Sequence, residues 1–250
     1  MPMIVGSAPV NRLSDKVIRA RDAALSWMFG RPDCAPRATH IGAVSAAIAA
    51  ELRATMNRLK AQAFSSDGTR VNYAEVRRSN DYAHYREQLL PQLAAFDPTT
   101  LRTRAERTAF WINLYNAVII DAVITVGVTR SVTEGDPGGM RFFRRAGCVV
   151  GGQCLSCDDI EHGILRANRG HPLIPGPHFA SDDPRRAWIV EPLDPRIHFA
   201  LNCASRSCPP IGIYDPERLD AQLELAARNF VDQSTRRIGK ALEVSALFRW

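Results

Sequence analysis

Residues 198–210 concentrate side chains that could do chemistry in this sequence. An apolar run predicted to be a strand, residues 197–201, leads into a cluster of small and polar residues that ends at two prolines. The end of a strand is a rigid place from which a loop can present a nucleophile. We predict Cys203 as that nucleophile, with its thiolate favoured by His198 or Arg206. The polar side chains beside it are predicted to bind the substrate: Asn202, Arg206 and Ser207.

A second group of titratable side chains contains the adjacent Glu161 and His162. On one helix these neighbours point about 100° apart, so they cannot form a tight pair with each other. We predict His162 as an alternative base for Cys203, and Glu161 as the carboxylate that orients an imidazole such as that of His198. The alternative is a helix whose first turn carries a carboxylate, capped by Asp158 or Asp159, with His162 on the surface.

The third group is a pair of amides, Asn113 and Asn116, on one face of the most apolar predicted helix, residues 105–126. Buried amides need hydrogen-bond partners. They either line the substrate cleft, where Asn116 or backbone amides near Ala204 would hold an oxyanion, or fasten the helix to a loop. We expect both to be buried, with at least one bonded to residues 198–210.

Six cysteines are too few for a disulfide scaffold, and no apolar run of signal-peptide length is visible near the start. We therefore expect reduced thiols and a cytoplasmic location as written, or export if an N-terminal signal has been trimmed. Cys154 and Cys157 have the C-x-x-C spacing of zinc ligands, but no second such pair follows. The sequence therefore predicts no metal and no cofactor.

The composition is that of an ordinary soluble protein, with 46% hydrophobic and 23% charged residues in 250. The net charge of +6 comes from basic residues scattered among acidic ones, so no nucleic-acid partner is predicted. The longest apolar stretch, residues 109–128, is interrupted by Asn113, Asn116 and Asp121, so no membrane span is predicted. The expected ligand is a small molecule, a peptide or a glycan.

Hydrophobic periodicity predicts a lead-in helix and linker over residues 1–37 and a single globular domain over residues 38–250. Amphipathic helices are expected over residues 41–59, 82–96 and 219–230, and a long surface loop over residues 168–186. Short apolar runs at 148–150, 188–190 and 197–201 are typical of strands. The predicted fold class is α+β: a single domain, helix-rich, with a small, mostly antiparallel sheet.

Three motifs in order resemble the bacterial and plant family called domain of unknown function 547: residues 110–117, residues 156–166 and residues 195–210. The resemblance covers about residues 65–250. It implies an α+β domain without an assigned activity, with a distant likeness to papain-like or transglutaminase-like thiol folds. Two departures are that Cys157 stands where the family pattern has Leu, and that family members continue beyond Trp250, so this chain is predicted to be truncated there.

The first functional hypothesis is a thiol-dependent hydrolase or acyl transferase with a Cys203, His198 or His162, and Glu161 site. The alternative is a non-catalytic binding domain that recognises a peptide, a glycan or a protein partner through the same polar cluster. In that case Cys203 is a small buried residue and His198 a hydrogen-bonded core residue. A zinc or redox protein is the remaining alternative.

Overall fold

The fold is organised around one long helix, α6, which spans Arg104–Val126. It starts at a capping box in which Thr103 and Glu106 satisfy each other's backbone N–H groups, and it ends at Gly127, whose left-handed φ of 73° suits glycine. The residues from position 108 to position 123 are all buried, since apolar side chains surround the helix. The predicted central helix is therefore confirmed.

The computed structural model describes residues 14–34, 47–134, 136, 139–204, 208–239 and 241–249. In these ranges the other α-helices are α1 (Asp15–Phe29), α2 (Ile48–Ala63), α3 (Tyr73–Arg78), α4 (Asn80–His84), α5 (Leu90–Ala95), α7 (Met140–Arg145) and α8 (Leu219–Ser234). The strands are β1 (Gly147–Val150), β2 (Gln153–Ser156), β3 (Arg236–Ile238) and β4 (Ala241–Glu243). Two predicted site residues, Arg206 and Ser207, lie outside the described residues.

The strands form two separate antiparallel hairpins. In the first, Gly147 of β1 pairs with Ser156 of β2, and in the second Arg236 of β3 pairs with Glu243 of β4. The protein is therefore a helix-rich, single-domain α+β fold with small antiparallel sheets, as predicted. The division into residues 1–37 and 38–250 remains a prediction.

Two of the predicted strands are wrong. Residues 184–188 and 195–199 form the 3₁₀ helices Pro184–Trp188 and Pro195–Phe199. Each follows an Asp-Pro pair: Asp183 and Asp194 accept hydrogen bonds from the backbone N–H two residues later, and proline supplies the helical φ. His198 therefore lies in a 3₁₀ helix, and the apolar residues after it do not pair as a strand.

A π-helical turn, Tyr85–Leu89, joins α4 and α5 into one continuous helical segment. Pro91 is the second residue of α5, and a proline removes an N–H donor and collides with the carbonyl four residues earlier, which widens the turn. The predicted apolar stripe of this segment is buried throughout: Tyr82, Tyr85, Leu89, Leu93 and Phe96. It packs around α6 together with α2.

Helix α1 forms where predicted, but the apolar residues whose helical spacing predicts it face solvent: Val17, Ala20, Ala24 and Met28. Val17 is 48% exposed, whereas Ile18 is buried. The helix is held instead by polar contacts with the loop around residue 178. Arg21 donates to the carbonyls of Pro177 and His178, and Asp15 accepts from Ser181.

By length and composition α6 could cross a membrane, and 83% of its 18-residue apolar window is buried inside the protein. Burial of this kind is typical of the core helix of a globular domain. The predicted absence of a membrane span remains a prediction.

Candidate functional site

A helix that starts at Cys157 presents most of the titratable side chains. Its start is fixed by Ser156 and Asp159, which hydrogen-bond each other's backbone N–H groups at 3.0 and 2.8 Å. Ser156 is therefore the cap, and the prediction that Asp158 or Asp159 caps this helix is wrong. The helix continues as the π-helix Asp159–Leu165, in which the N–H of Arg166 bonds to the carbonyl of Glu161. Wide turns of this type are frequent at functional sites.

Glu161 lies at the centre of a polar network that joins three elements. Tyr115 of α6 donates to Glu161 Oε2 at 3.2 Å. Glu161 Oε1 lies 3.5 Å from His198 Nδ1, and His198 Nε2 lies 2.7 Å from an Arg166 guanidinium nitrogen. Since arginine only donates, Nε2 accepts, and Nδ1 is the ring nitrogen that faces Glu161. The structure thus brings Glu161 and His198 together, as the sequence predicts.

Burial distinguishes the members of this network. His198, Arg166 and Tyr115 are buried, whereas the Glu161 side chain is 16% exposed. Burial raises the pKa of Glu161, but the neighbouring His162, His198 and Arg166 outweigh it and lower the pKa to about 2. Glu161 is therefore an ionised carboxylate at neutral pH, held from behind by buried donors and open to solvent at its edge.

His162 points away from His198 into a second group of side chains. Its Nε2 is 3.9 Å from Asp158 Oδ1, and its ring meets that of His171 edge-on, with centroids 4.9 Å apart. Burial lowers the pKa of His162 to about 3 and raises that of Asp158 to about 7. His162 is therefore neutral at physiological pH. It is buried, which contradicts a surface position.

The loop after this helix is ordered by Asn168 and covers the histidines. Asn168, in the left-handed region at φ 59°, accepts from the N–H of Phe179 and donates to its carbonyl. His178 then reaches Asp159 at 2.9 Å. Gly163 is required here because any Cβ would collide with the Phe179 ring. The predicted surface loop therefore has a buried centre.

The two predicted amides, Asn113 and Asn116, both act as backbone clamps. Asn113 donates to the carbonyl of Tyr214 and accepts from its N–H. Asn116 donates to the carbonyl of Ala200 at 3.1 Å and accepts from the N–H of Asn202 at 2.9 Å. Both are buried, so the prediction that they are paired and that one holds residues 198–210 is confirmed.

Asn202, whose backbone N–H is held by Asn116, continues this hydrogen bonding into the loop that carries Cys203 and Cys208 (the Cys203 loop). Its side chain donates to the carbonyl of Pro209 and accepts from the N–H of Ala204, which has a φ of 56°. This reversal brings Cys208 back to Cys203, and the two sulfurs form a disulfide. The predicted nucleophile therefore has no free thiol in this structure, and His198 lies on a 3₁₀ helix and not on a strand.

A second disulfide joins Cys34 to Cys154, because β2 runs beside the end of the segment that follows α1. The expectation of reduced thiols is wrong for these four cysteines. Cys148 and Cys157 are free and buried. Cys154 thus pairs outside its C-x-x-C, and in the described ranges no group of three or more His, Cys, Asp or Glu side chains is arranged to hold a metal ion.

Sequence reasoning did not assign roles to several members of the site: Tyr115, Arg166, Asn168, His171 and His178. Arg166 is the last residue of the motif at residues 156–166 and lies five residues after Glu161. A spacing of five residues brings the two side chains together only on a wider turn, so Arg166 could be assigned to the site only if this helix were known to be a π-helix.

Comparison with known proteins gives one family. No curated protein and no solved structure matches the chain. The family described as "Protein of unknown function, DUF547" matches residues 98–231, which is more than half of the sequence. The matched region contains the network around Glu161, the asparagine clamps and the Cys203–Cys208 disulfide. The chain therefore belongs to this family of proteins of unknown function.

Proposed function

We propose that this domain is a binding module that recognises neutral hydrogen-bond donors, the hydroxyl and amide groups of a glycan or a peptide, at the Glu161 carboxylate. The observation that carries this proposal is that Glu161 is ionised and open to solvent at its edge, while the side chains that fix it are buried.

The carboxylate has acceptor capacity beyond its internal contacts. Each carboxylate oxygen offers about two lone-pair sites, and the contacts from Tyr115 and His198 use one on each oxygen. The nearby Arg166 guanidinium already balances the charge of Glu161, which favours neutral donors over a further cation. Because the buried partners hold the carboxylate in place, little side-chain freedom is lost when a ligand binds.

The groups required for thiol catalysis are engaged elsewhere. The sulfur of Cys203 is bonded to Cys208, and His198 Nε2, the nitrogen that would accept a proton, accepts from Arg166. The Asn116 amide is used by the backbone clamp. Two disulfides also support the exported location among the two predicted, because disulfides persist in oxidising compartments.

Titration calorimetry with the oxidised full chain tests this proposal. The probes are an N-acetylglucosamine oligomer, which presents both hydroxyl and amide donors, and an acetylated, amidated alanine tripeptide. Glu161→Gln, which keeps the side-chain shape but replaces one acceptor oxygen by a donor, is expected to weaken binding by about tenfold or more. Glu224→Gln, at an exposed ion pair with Arg228, is the control. Equal binding by the parent and Glu161→Gln would contradict the proposal.

The second candidate is a thiol-dependent hydrolase or acyl transferase that works after reduction. It is favoured by the half-buried position of Cys203, which a small dithiol can reach. The dithiol would give two electrons and two protons to the disulfide, leaving two thiols and an oxidised dithiol. Cys203 would then give its proton to His198 or His162 and attack an acyl carbon, so that the leaving group departs with that proton and a thioester forms. Water or a second acceptor would then take the acyl group and restore the thiol.

Hydrolysis of p-nitrophenyl acetate by oxidised and reduced protein separates the two candidates. A burst seen only after reduction, lost in Cys203→Ser and kept in Cys34→Ser, supports the thiol enzyme. Equal rates for the reduced parent and Cys203→Ser would exclude it. Neither result depends on binding of the oligosaccharide or the tripeptide.

A further inference from the structure

A cavity at the C-terminal end of α6 shares no side chain with the Glu161 network. Its volume is about 410 Å³, within the range of roughly 300–1,000 Å³ that small-molecule sites occupy. We propose that this cavity binds a small organic amine: an apolar body that carries one ammonium group. The proposal is independent of the function proposed for Glu161.

The floor of the cavity is apolar and closed. Val118 and Ala122 of α6 lie on one side and Val132 and Phe142 on the other, and all four are buried. Thr125 and Val126, which are exposed, form part of the rim. A ligand that enters past this rim therefore exchanges water for hydrocarbon contacts, which favours an apolar body.

Two buried carboxylates, Asp121 and Asp136, lie among these apolar walls. Asp121 is held by Tyr82 Oη at 2.7 Å and by Arg86 at 2.9 Å. Asp136 accepts from the N–H groups of Arg141 and Phe142, at 2.6 and 3.1 Å. Both carboxylates are thus fixed in position before any ligand arrives.

The negative charge of the cavity is concentrated in its interior, at the buried Asp121 and Asp136. Asp33 and Glu134 add two exposed carboxylates, against the guanidinium groups of Arg141 and Arg145. Four carboxylates and two guanidinium groups line the cavity, and Arg86 pairs with Asp121 and Arg130 with Glu134, so the charges of the whole site balance and the buried carboxylates decide the charge of its interior. The end of α6 lines the cavity as well, and a helix C-terminus carries a partial negative charge of roughly half an electron. An ammonium group is the ligand charge that this arrangement favours.

The exposed position of Arg141 and Arg145 decides against an anionic ligand. Both guanidinium groups lie on the rim, where solvent screens them, whereas Asp121 and Asp136 are buried. A charged group that is less hydrated contributes more to a charge interaction than an exposed one. The interior of the cavity therefore selects a cation even though arginines surround its mouth.

Three probes of one shape and different charge test the proposal on the full chain: 4-phenylbutylamine, 4-phenylbutanol and 4-phenylbutanoate. Binding is measured by calorimetry at low salt. The amine is expected to bind about tenfold more tightly than the alcohol, and the carboxylate more weakly than the alcohol. Ala122→Leu, which fills the floor, is expected to abolish binding of the amine, and Asp136→Asn to remove its advantage over the alcohol.

The controls separate binding from folding and from the other site. Ala122→Leu leaves the hydrogen bond from the Arg141 N–H to Asp136 intact. It therefore tests the proposal even if Asp136→Asn lowers the melting temperature strongly. Glu161→Gln is expected to bind the amine as the parent does. Equal affinities for the three probes, no binding of the amine, or unchanged binding in Ala122→Leu would each overturn the proposal.

Discussion

Replacement of Asn116 by leucine tests whether α6 supports the Cys203 loop. Asn116 is fully buried, and its side chain satisfies both the carbonyl of Ala200 and the N–H of Asn202. Leucine has the same number and branching of side-chain heavy atoms but no polar side-chain atom. The substitution therefore leaves two backbone groups without these partners and changes the packing little.

The magnitude follows from these two hydrogen bonds. A buried polar group that loses its partner costs about 1–3 kcal/mol, so Asn116→Leu is expected to lower the free energy of unfolding by roughly 2–6 kcal/mol. For a chain of this length that is a fall in melting temperature of about 10 °C. Part of the loss is local, and each 1.4 kcal/mol of it makes local opening of the loop about tenfold more frequent.

The assay measures reduction of the two disulfides by dithiothreitol in the folded protein, followed by mass spectrometry. Asn116→Leu is expected to speed the reduction of Cys203–Cys208 at least tenfold, while Cys34–Cys154, on a different element, serves as the internal reference. Asn113→Leu is the matched control, because it removes an equivalent clamp on Tyr214 and not on the Cys203 loop.

Two results would refute this reasoning. One is a melting temperature of Asn116→Leu equal to that of the parent, which would show that the clamp does not stabilise the fold. The other is an equal acceleration of both disulfides, or the same acceleration in Asn113→Leu, which would show that the loss of stability is global and that α6 does not specifically hold this loop.

Three further predictions concern titration and the thiols. Burial raises the pKa of Asp158 from 3.8 to about 7, so the folded state binds the proton more tightly than the unfolded state and stability falls as pH rises between these values. Asp158→Asn should therefore remove this fall in the midpoint of denaturant unfolding over the same pH range. Burial raises the pKa of Glu161, but the neighbouring His162, His198 and Arg166 lower it from 4.5 to about 2. The stability that this carboxylate contributes is therefore present above pH 4.5 and lost on acidification to about pH 2, and Glu161→Gln should remove this loss in the same assay. Burial raises the pKa of Cys148 to about 12 and that of Cys157 well above its ordinary value, so iodoacetamide should alkylate neither thiol in the folded protein. Cys203 should be alkylated only after its disulfide is reduced, and peptide mapping would show both results.

The helices could be predicted because their signals are local. The apolar stripes of α2 and of the segment from α4 to α5 repeat every three or four residues, and they are buried as the period requires. The pairing of Asn113 and Asn116 also followed from the sequence, since amides on an apolar helix need partners. Helix α1 shows the limit, because periodicity gave the helix but not the face that contacts the protein.

The false strands show how local chemistry overrides an apolar run. Among the described residues, four Asp-Pro pairs start 3₁₀ helices, and in each the aspartate accepts from the N–H two residues on: Asp97, Asp183, Asp194 and Asp215. Proline fixes φ and the aspartate bond closes the turn, so the residues that follow cannot be extended. This signal was present in the sequence and outweighed the β propensity of Ile197.

The disulfides and the Arg166 contact could not be derived in the same way. Cys34 and Cys154 are 120 positions apart, and their pairing depends on how the segment after α1 lies against β2. Arg166 reaches His198 because the helix is wound as a π-helix and the 3₁₀ helix at residues 195–199 turns the ring toward it. Both depend on tertiary geometry that no spacing in the sequence encodes.

Fold stability alone does not account for the network around Glu161. A buried ion pair rarely stabilises a fold more than apolar side chains of the same volume, because desolvation offsets the attraction. The core around α6 would therefore gain little from Arg166, His198 and Glu161 as a stabilising unit. What these residues do accomplish is to fix one ionised carboxylate at the edge of the solvent, with Tyr115 and the Asn116 clamp holding the surrounding elements. A rigid acceptor in that position would suit the ligand proposed above, which is why Glu161 is the first residue at which to look for binding.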